Sequence, residues 1–471
     1  MTHSHVDIKS LKSLKKFEDV VAACNRCGFC TSYCPTYNAT GSEQYSPRGR
    51  NQAFRALLEG KITDPALTKD IIDTCLLCGE CTTICFSEVP TAQLMMLARD
   101  LTNKSIGLPL SLKVIIKFIL PRPSLFYWML KGSFFAKRLG LSWLFRKAGI
   151  LGKLAPALAA ADQLVDRVPL RFLKDHDRAR AHQEEAILRA EHAYFENQQK
   201  LVSIKAAGKK VPESLLRAVD AKPQRPKIAY LPVCGSQYLR PSIGLATLEL
   251  LQFLKLDFVI PDLLCCGLPA ASYGMLESVR EMAKENIKRL ERGRYESVLA
   301  DDSSCAAHAK EYPKFFQDDP DWLKRSTAVS QSVRELSSFL VQWGLIEHLK
   351  KAHWAYGPVA YHDPCKAQYG QKIVSPPRAL LSAIPGLQLV PIAEADQCCG
   401  GGGTYSFVHP DMSRDVLSRK IKNITDTQCR TVVTSGSSCL IQLASGLKKK
   451  GSTIEVLHLS EFLVRVLKNK K

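Results

Sequence analysis

Two four-cysteine runs near the N-terminus carry the clearest chemistry in the sequence. The first run spans Cys24–Cys34, the second spans Cys75–Cys85, and each has the spacing C-x2-C-x2-C-x3-C. This spacing lets a tight loop present three thiolates to one iron–sulfur cube while the fourth cysteine reaches a second cube. Structural zinc also uses C-x-x-C pairs, but two complete runs within about one hundred residues favour iron–sulfur clusters over zinc.

The same pattern predicts which cysteines share a cluster, because the last cysteine of each run serves the other cluster. The segment between the runs is too long for a compact ferredoxin hairpin, and Ser46-Pro47 before an apolar stretch indicates a helix start. We therefore expect an α-helical ferredoxin domain with two [4Fe-4S] clusters over residues 1–103. The predicted ligands are Cys24, Cys27, Cys30 and Cys85 for the first cluster, and Cys75, Cys78, Cys81 and Cys34 for the second.

The composition is that of a globular protein with several domains. The chain has 471 residues, of which 46% are hydrophobic and 23% are charged, and this length allows roughly two to four domains. Residues 1–20 carry histidines and lysines where an export signal would have an apolar core. We therefore expect a cytoplasmic protein whose 17 cysteines stay reduced and serve mainly as metal ligands rather than in disulfides.

The net charge of +20 is unevenly distributed. Basic charge alone would suggest nucleic acid as a partner, but residues 101–161 contain no Asp or Glu and hold ten positive side chains. Half of the excess therefore lies in about an eighth of the chain, which argues against nucleic acid. These ten residues are Lys104, Lys113, Lys117, Arg122, Lys131, Lys137, Arg138, Arg146, Lys147 and Lys153.

This acid-free segment predicts a surface for a membrane or a partner. Its apolar stretches at residues 108–120, 125–130 and 139–145 are each interrupted before the roughly eighteen residues that a spanning helix needs. Aromatic side chains among lysines and arginines fit a surface on anionic lipid, at the inner face of the cytoplasmic membrane, or on a membrane-bound partner. The alternative is that residues 104–224 form a basic helical linker whose apolar face packs on the rest of the protein.

From residue 227 onward the sequence repeats itself. Three motifs recur in the same order at offsets of 131, 133 and 134 residues, which indicates a duplicated unit. The matching pairs are residues 228–235 with 359–366, Cys265-Cys266-Gly267 with Cys398-Cys399-Gly400, and residues 297–305 with 431–439.

Each copy alternates predicted strands and helices. A short β-branched strand leads into the first cysteine of each copy and another leads into the last, with amphipathic helices at Met275–Arg292 and Met412–Thr425. This alternation predicts a small parallel α/β sheet in each copy, over residues 225–350 and 351–471. Ligands gather at the carboxyl ends of strands in such sheets, and the cysteines fall there.

The Cys-Cys-Gly turns present two adjacent sulfurs, and glycine lets the backbone bend close to a bulky ligand. Two such units behind a two-cluster helical ferredoxin domain resemble the CCG-domain iron–sulfur oxidoreductases. This family includes the glycolate oxidase iron–sulfur subunit, the lactate-utilisation iron–sulfur protein and the catalytic subunit of heterodisulfide reductase. The resemblance implies a multidomain α+β protein in which a helical ferredoxin domain and a helical linker precede duplicated α/β CCG domains.

The CCG units depart from one branch of this family. In the heterodisulfide reductase branch each unit ends in C-x-x-C and holds a non-cubane cluster, but here His308 and Gln442 replace the last cysteines. Four thiolates per unit suit a cubane cluster, a modified non-cubane cluster, or zinc in one unit. The candidate ligands are Cys234, Cys265, Cys266 and Cys305 in the first unit, and Cys365, Cys398, Cys399 and Cys439 in the second.

Three further residues need an interpretation of their own, and two of them have an alternative. His308 could be a ligand in place of the missing cysteine, or it could be merely exposed on a helix. His362 could tune a cluster through a hydrogen bond to a ligand, or it could be a satisfied histidine at a strand end. Cys429 lies outside all the ligand sets, and we expect an ordinary buried thiol there.

The cofactors define the expected function. Clusters transfer single electrons, whereas hydride abstraction from a carbon acid needs a flavin or nicotinamide, and the sequence offers no G-x-G-x-x-G or Walker loop to bind one. We expect an iron–sulfur subunit of an oxidoreductase complex that passes electrons from a flavoprotein partner to a membrane quinone or similar acceptor. The resemblance implies that the partner oxidises a 2-hydroxy acid of the glycolate or lactate type.

Two alternatives belong to other functional classes. The resemblance to heterodisulfide reductase implies a subunit that reduces a disulfide at its CCG clusters or couples them to a membrane cytochrome, and the missing cysteines count against it. The second alternative is a scaffold whose CCG units bind a partner and whose metal is only structural.

Overall fold

The computed structural model of the chain describes residues 15–62, 64–147, 159–160, 162, 164–165, 168–176, 196–220, 227–293 and 295–469. In these ranges a helical N-terminal domain is followed by helices of the basic segment and by two α/β units, each with its own four-stranded parallel sheet. The predicted multidomain α+β organisation is therefore confirmed.

The N-terminal domain is helical because polar caps and prolines set where its helices start. Ser46 accepts a hydrogen bond from the Gly49 backbone N–H and precedes Pro47, and Asp64 in the same way caps the helix that begins at Pro65. Phe54, from the first of these helices, lies in the apolar core of the domain. The helices are Lys15–Ala22, Pro35–Thr40, Pro47–Leu58, Pro65–Asp73, Glu80–Thr83 and Thr91–Ile106, with a 3₁₀ turn at Glu43–Tyr45.

The basic segment forms short helices with two different faces. Phe126, Tyr127 and Phe134 pack with Phe172 and Tyr238, and this cluster joins the segment to the first α/β unit. No helix in the ranges described above is both long enough and apolar enough to cross a membrane. The elements are the helices Leu110–Val114, Pro123–Arg138 and Leu141–Lys147, a π-helical turn at Ile115–Ile119, a 3₁₀ turn at Leu173–Asp175 and the helix Glu213–Asp220, while Lys153 lies outside the described residues.

Both α/β units have the same strand arrangement. All pairings are parallel, and the orders β2-β1-β3-β4 and β6-β5-β7-β8 are equivalent. The duplication predicted from the sequence is therefore present in the fold. The strands are β1 (Ile228–Leu231), β2 (Phe258–Val259), β3 (Ser297–Ala300) and β4 (Val333–Glu335) in the first unit, and β5 (Val359–Tyr361), β6 (Leu389–Val390), β7 (Thr431–Thr434) and β8 (Glu455–His458) in the second.

The helices of the two units cover these sheets. The two predicted amphipathic helices are present as Leu276–Gly293 and Pro410–Asp426. The first unit also has Pro241–Phe253, Leu268–Ser272, Ser303–Lys310, Pro320–Ser332, Leu336–Gln342 and Leu345–Leu349, with a π-helical turn at Gly235–Leu239 and a 3₁₀ turn at Tyr312–Phe316. The second unit also has Cys365–Gln371, Ser375–Ser382, Tyr405–Val408, Ser437–Lys449 and Leu459–Lys468.

The two units pack together through equivalent helices and share one apolar core. The Pro241–Phe253 helix contacts the Leu459–Lys468 helix, and the Leu336–Gln342 helix contacts the Ser375–Ser382 helix. Side chains from both units form one buried cluster, and burial of this apolar surface stabilises the paired arrangement. The strand ends that carry the cysteines therefore face the boundary between the units.

Polar contacts fix that boundary. One carboxylate oxygen of Asp302 accepts hydrogen bonds from the Ser437 backbone N–H at 2.6 Å and from the Ser437 hydroxyl at 2.7 Å. The Ser303 backbone N–H donates to the Ser435 carbonyl at 3.0 Å. These contacts hold the last-cysteine loops of the two units against each other.

The N-terminal domain is docked on both α/β units. The buried guanidinium of Arg99 donates to the Ser272 carbonyl in the first unit and to the Asp73 carbonyl in its own domain. The Tyr405 hydroxyl in the second unit donates to the Thr74 carbonyl of the N-terminal domain at 2.8 Å. The helical domain is thereby positioned over the cysteine-bearing ends of the sheets.

The close approach of the two units at their boundary predicts that substitution of one glycine there lowers the stability of the protein. A Cβ atom at Gly235 would lie 2.1 Å from the Ser437 Oγ and 2.4 Å from its Cβ. We expect Gly235→Ala to lower the free energy of unfolding by about 2 kcal/mol, because the two units must separate to admit the methyl group. Urea unfolding of the anaerobically purified protein measures this change.

The matched control is Gly132→Ala in the Pro123–Arg138 helix, where no atom lies within 4 Å of the added Cβ. This change should be neutral or stabilising by up to about 1 kcal/mol. Equal unfolding midpoints for the two variants would contradict the tight approach of the units at Gly235.

Candidate metal centres

The cysteines predicted to bind the second ferredoxin cluster converge on one cavity. Its loop turns through Leu77 and Gly79, whose φ angles of +52° and +91° lie in the left-handed region, before the Glu80–Thr83 helix begins. This turn brings the backbone around the cavity, as a cubane-binding loop requires. The four sulfur residues that line the cavity are Cys34, Cys75, Cys78 and Cys81.

A buried guanidinium lies beside this cavity. Arg50 donates to the Tyr45 carbonyl at 2.6 Å and to the Thr36 hydroxyl at 3.0 Å, and its Nη1 lies 3.7 Å from the Cys34 Sγ. Burial opposes the charge of this group, but the thiolates of Cys75 and Cys34 outweigh that effect and raise the pKa of Arg50. A permanent positive charge therefore faces the thiolates.

The sequence predicted the helix start at Ser46-Pro47, but the role of Arg50 in that helix was missed. The signal was present, because Arg50, Phe54 and Leu57 follow the spacing of a buried helix face. A charged residue on such a face needs buried partners, and here the partners are two carbonyls, two hydroxyls and the Cys34 sulfur.

The cysteines predicted for the first cluster lie nearer the surface. Burial and the charges of Cys24, Cys34 and Cys85 raise the pKa of Cys30 to about 11, so Cys30 is near two other predicted ligands of its cluster, Cys24 and Cys85, and near Cys34 of the second set. Cys27 is exposed. The set therefore lies at the outer edge of the domain.

Exposed aromatic rings surround this outer set. Phe29 follows Cys27 in the loop, and its ring centroid lies 5.8 Å from that of Tyr33 and 4.9 Å from that of Phe86. Phe86, next to the predicted ligand Cys85, is 83% exposed. Large exposed aromatic side chains beside a metal site are typical of a contact surface for a partner.

The cysteines of the first CCG unit also line a single cavity. The Cys266 and Cys305 sulfurs lie 3.4 Å apart. A hydrogen bond from Cys266 lowers the pKa of Cys305, but burial and the charge of Asp302 outweigh it and raise this pKa to about 12. The lining contains all four predicted ligands together with three residues of the basic segment, namely Cys234, Cys265, Cys266, Cys305, Leu120, Pro123 and Phe126.

His308 is buried, so the expectation that it would be merely exposed was wrong. Its side chain is 2% exposed, and its ring packs edge-on against Tyr312 and Phe315. Burial lowers the pKa of His308 to about 4. Its ring does not join the cysteines in any group of close ligand atoms found among the described residues, and ligation by His308 remains only a prediction.

The second CCG unit brings its sulfurs together with a histidine. Cys365 is near Cys398, and Cys399 is near Cys439, since each pair is close enough to hydrogen bond. Ligand atoms of His362, Cys399 and Cys439 all lie within 4.8 Å of one another, and all three residues are buried. Neither ring nitrogen of His362 has a hydrogen bond of ordinary geometry to any described residue, and the Ala395 backbone is the polar group that favours a proton on the ring.

The sulfur sets of different domains are neighbours. Burial and the charge of Cys365 are the largest causes that raise the pKa of Cys78. Cys78 and Cys398 share one apolar cluster with Leu76 and Tyr405. The second ferredoxin set therefore lies against the second CCG set.

Asp302 lies between the two CCG sets. It accepts from the Cys305 backbone N–H on one side and from Ser437 on the other, and its charge acts on both Cys305 and Cys439.

Cys429, in contrast, is buried among Ile424 and Val432 in an apolar core, as expected of an ordinary buried thiol.

The donor chemistry fits the expected iron–sulfur clusters. The converging atoms are thiol sulfurs in buried loops, and soft thiolates select iron–sulfur clusters, zinc or copper(I). Crowded buried thiolates repel one another, and bound cations remove that repulsion. The loops are thus suited to hold clusters rather than free thiols.

A two-run helical ferredoxin domain docked on paired CCG sheets defines an iron–sulfur protein of the oxidoreductase class. The family described as "Cysteine-rich domain" matches residues 228–310 and 359–444, and the "4Fe-4S dicluster domain" family matches residues 20–89. The chain belongs to the CCG-domain iron–sulfur family of the glycolate oxidase iron–sulfur subunits and lactate utilization proteins.

Three relatives show the extent of this similarity. The chain is 28% identical over 455 residues to the probable glycolate oxidase iron-sulfur subunit of Bacillus subtilis, covering 95% of this chain and 94% of that one. It is 26% identical to the glycolate oxidase iron-sulfur subunit of Escherichia coli, covering 91% of each chain. It is 33% identical to lactate utilization protein A of Exiguobacterium sp., covering 50% of this chain and 97% of that one.

The position of Arg50 predicts a change in reduction potential. Removal of a positive charge beside thiolates disfavours the more negative, reduced state, so Arg50→Met should lower the potential of one cluster. We expect a shift of about 60 mV, which for one electron corresponds to roughly 1.4 kcal/mol. A redox titration followed by EPR measures this shift.

Two variants serve as controls for this titration. Arg50→Lys keeps the charge and should shift the potential less, and Arg55→Met removes a surface partner of Glu59 and should shift nothing. An unchanged set of potentials in Arg50→Met with full iron content would contradict the assigned role of the guanidinium.

Proposed function

We propose that the chain is the electron-transfer subunit of a 2-hydroxy-acid dehydrogenase complex and passes electrons from a flavoprotein partner to a membrane quinone or similar acceptor. The observation that carries this proposal is the proximity of the sulfur sets, since Cys78 and Cys398 lie in one apolar cluster and the charge of Cys365 acts on Cys78. Iron–sulfur clusters held by these residues would supply one-electron transfer. A protein that used its metals only as structural supports would not need adjacent sets.

The spatial order of the sulfur sets supports a path for electron transfer through the protein. Cys30 of the outer set neighbours Cys34 of the next, and Cys78 of that set neighbours the second CCG unit. Asp302 then joins the second CCG unit to the first. The path begins at the exposed Phe29, Tyr33 and Phe86 rings, where a flavoprotein could dock, and it ends beside the basic segment.

The substrate class comes from the relatives. Proteins named glycolate oxidase iron-sulfur subunit and lactate utilization protein A match nearly their full lengths to this chain. We therefore assign glycolate or lactate, or a closely similar 2-hydroxy acid, as the substrate oxidised on the partner. Abstraction of hydride from that acid would take place on the partner's flavin.

The function is tested with the complex as it exists in its host. The tagged chain, purified without oxygen, should contain at least about eight iron atoms and should bring a flavin-containing protein with it. Glycolate or lactate should bleach the visible cluster absorption of this complex and should leave the isolated chain unchanged. Dithionite should bleach both samples.

Other results would favour the alternatives. Turnover of a heterodisulfide by the isolated chain with reduced viologen, without a flavoprotein, would support the disulfide-reducing function. Metal that gives no signal responsive to potential would support the scaffold and would contradict electron transfer.

The basic segment supports a position at a membrane. Trp128, Leu139 and Trp143 are 69%, 72% and 58% exposed, and Lys117 and Arg138 are exposed near them. Exposed aromatic and aliphatic side chains beside cations fit anionic lipid. We propose that this face rests on the membrane that holds the acceptor.

Two of the basic residues serve the fold instead. Lys131 lies 2.9 Å from the Asp175 carboxylate, and Lys137 lies 2.7 Å from that of Asp162. Because these cations are neutralised inside the protein, they contribute little to lipid binding. The linker interpretation therefore applies to the side of these helices that packs on the protein, and the membrane interpretation applies to their exposed side.

The exposed face predicts a loss of lipid binding in a double variant. Trp128→Gln with Trp143→Gln should lower binding to vesicles rich in phosphatidylglycerol by about tenfold, equivalent to roughly 1.4 kcal/mol, because two apolar rings no longer enter the interface. Vesicle flotation measures the bound fraction. The matched control is Trp343→Gln, which removes a 43% exposed ring from the first CCG unit and should leave binding unchanged. Undiminished flotation of the double variant would rule out this face as the membrane contact.

A further inference from the structure

The end of strand β5 places an imidazole among the sulfurs of the second CCG unit. His362 directly follows β5 and has no exposed surface. A ring nitrogen of His362 and the sulfurs of Cys399 and Cys439 all lie within 4.8 Å of one another. These residues are near enough to hold one metal ion after a small inward movement of the side chains, since metal–nitrogen and metal–sulfur bonds of about 2.0 and 2.3 Å bring a nitrogen and a sulfur to within about 4.3 Å of each other.

The ring lacks the partners that a structural histidine needs. Neither nitrogen has a hydrogen bond of ordinary geometry to a described residue, and a buried unpaired polar atom costs about 1–3 kcal/mol. The backbone of Ala395 is the polar group that favours a proton on the ring. Metal-bound histidines commonly have this arrangement, in which one nitrogen binds the metal and the other faces a backbone carbonyl.

Burial and the neighbouring Lys420 both disfavour the charged form of His362. The buried ammonium of Lys420 donates to the Glu394 carbonyl and lies close enough to act on Cys398 and Cys399. Burial lowers the pKa of Lys420, and the charges of Cys399 and Cys398 oppose that effect. The histidine can serve as a neutral donor, the form that binds metal.

The duplicated units differ at this position. With the offset of 131 residues that aligns Cys234 with Cys365, His362 corresponds to Leu231 at the end of β1. The first unit therefore offers a hydrocarbon where the second offers nitrogen. This difference is a natural comparison for the role of the ring.

We propose that His362 is a ligand of the metal centre in the second CCG unit, where it adds one imidazole nitrogen to the thiolates of its cysteines. This inference rests on the proposed function, since it concerns the cluster that the unit would hold. A neutral nitrogen ligand gives an iron–sulfur cluster a higher reduction potential than an anionic thiolate at the same position would. The second unit would thus differ in potential from an all-sulfur first unit.

The test uses the full chain, purified without oxygen from cells supplied with ¹⁵N-histidine. Pulsed EPR of the reduced protein should show a strong coupling to a histidine nitrogen, as direct ligation requires. His362→Leu should abolish this coupling, and His348→Leu, which removes an exposed histidine of the first CCG unit, should leave it unchanged. His362→Cys should keep the iron and move the potential of one cluster downward.

The outcomes separate this inference from the proposed function. A redox-active centre in the second unit without strong histidine coupling overturns ligation by His362 and leaves the electron-transfer proposal intact. If metal analysis finds zinc in that unit, a nitrogen in its X-ray absorption shell supports ligation and an all-sulfur shell overturns it. The absence of redox-active metal from both CCG units would remove the electron-transfer proposal itself.

Discussion

The repulsion between crowded thiolates is the constraint on which the rest of this structure depends. Sulfurs that must share a cluster lie a few ångströms apart in buried loops, where like charges repel strongly and burial disfavours each of them. The chain offsets part of this cost with basic side chains and N–H donors. Arg50 faces one ferredoxin set, and Lys420 faces the second CCG set.

Helix ends contribute to the same balance in the CCG units. Cys305 lies in the first turn of the Ser303–Lys310 helix, and Cys439 lies in the first turn of the Ser437–Lys449 helix. The positive end of a helix dipole favours the thiolate form of a nearby cysteine. The β-strand, cysteine and helix order of the repeat is therefore also an electrostatic arrangement. It explains why the duplicated sheets are parallel, since only parallel strands bring several such helix starts to one edge.

How much of the structure could be predicted from the sequence depends on how far apart the interacting residues are along the chain. Cysteine spacing and strand alternation are local patterns, so the cysteine-bearing loops, the duplicated sheets and the helices near residues 276–293 and 410–426 could be predicted. The burial of His308 could not, because Tyr312 and Phe315 pack on it only after the following 3₁₀ turn folds back. Contacts between distant segments, such as that of Arg99 with Ser272, cannot be predicted from the local spacing of residue types in the sequence.

The basic segment shows how one pattern can satisfy two interpretations. A helix that is apolar on most of its circumference has more apolar surface than a single neighbour can cover. In the Pro123–Arg138 helix, Phe126 packs on Tyr238 of the first CCG unit and Tyr127 packs on Phe172, while Trp128, one residue further, is exposed to solvent. Phe126 also lines the cavity of the first CCG cysteines. The helix that would meet the lipid is thus the one that closes the last sulfur set, so an acceptor dissolved in the membrane would need to travel little distance from the bilayer to reach it.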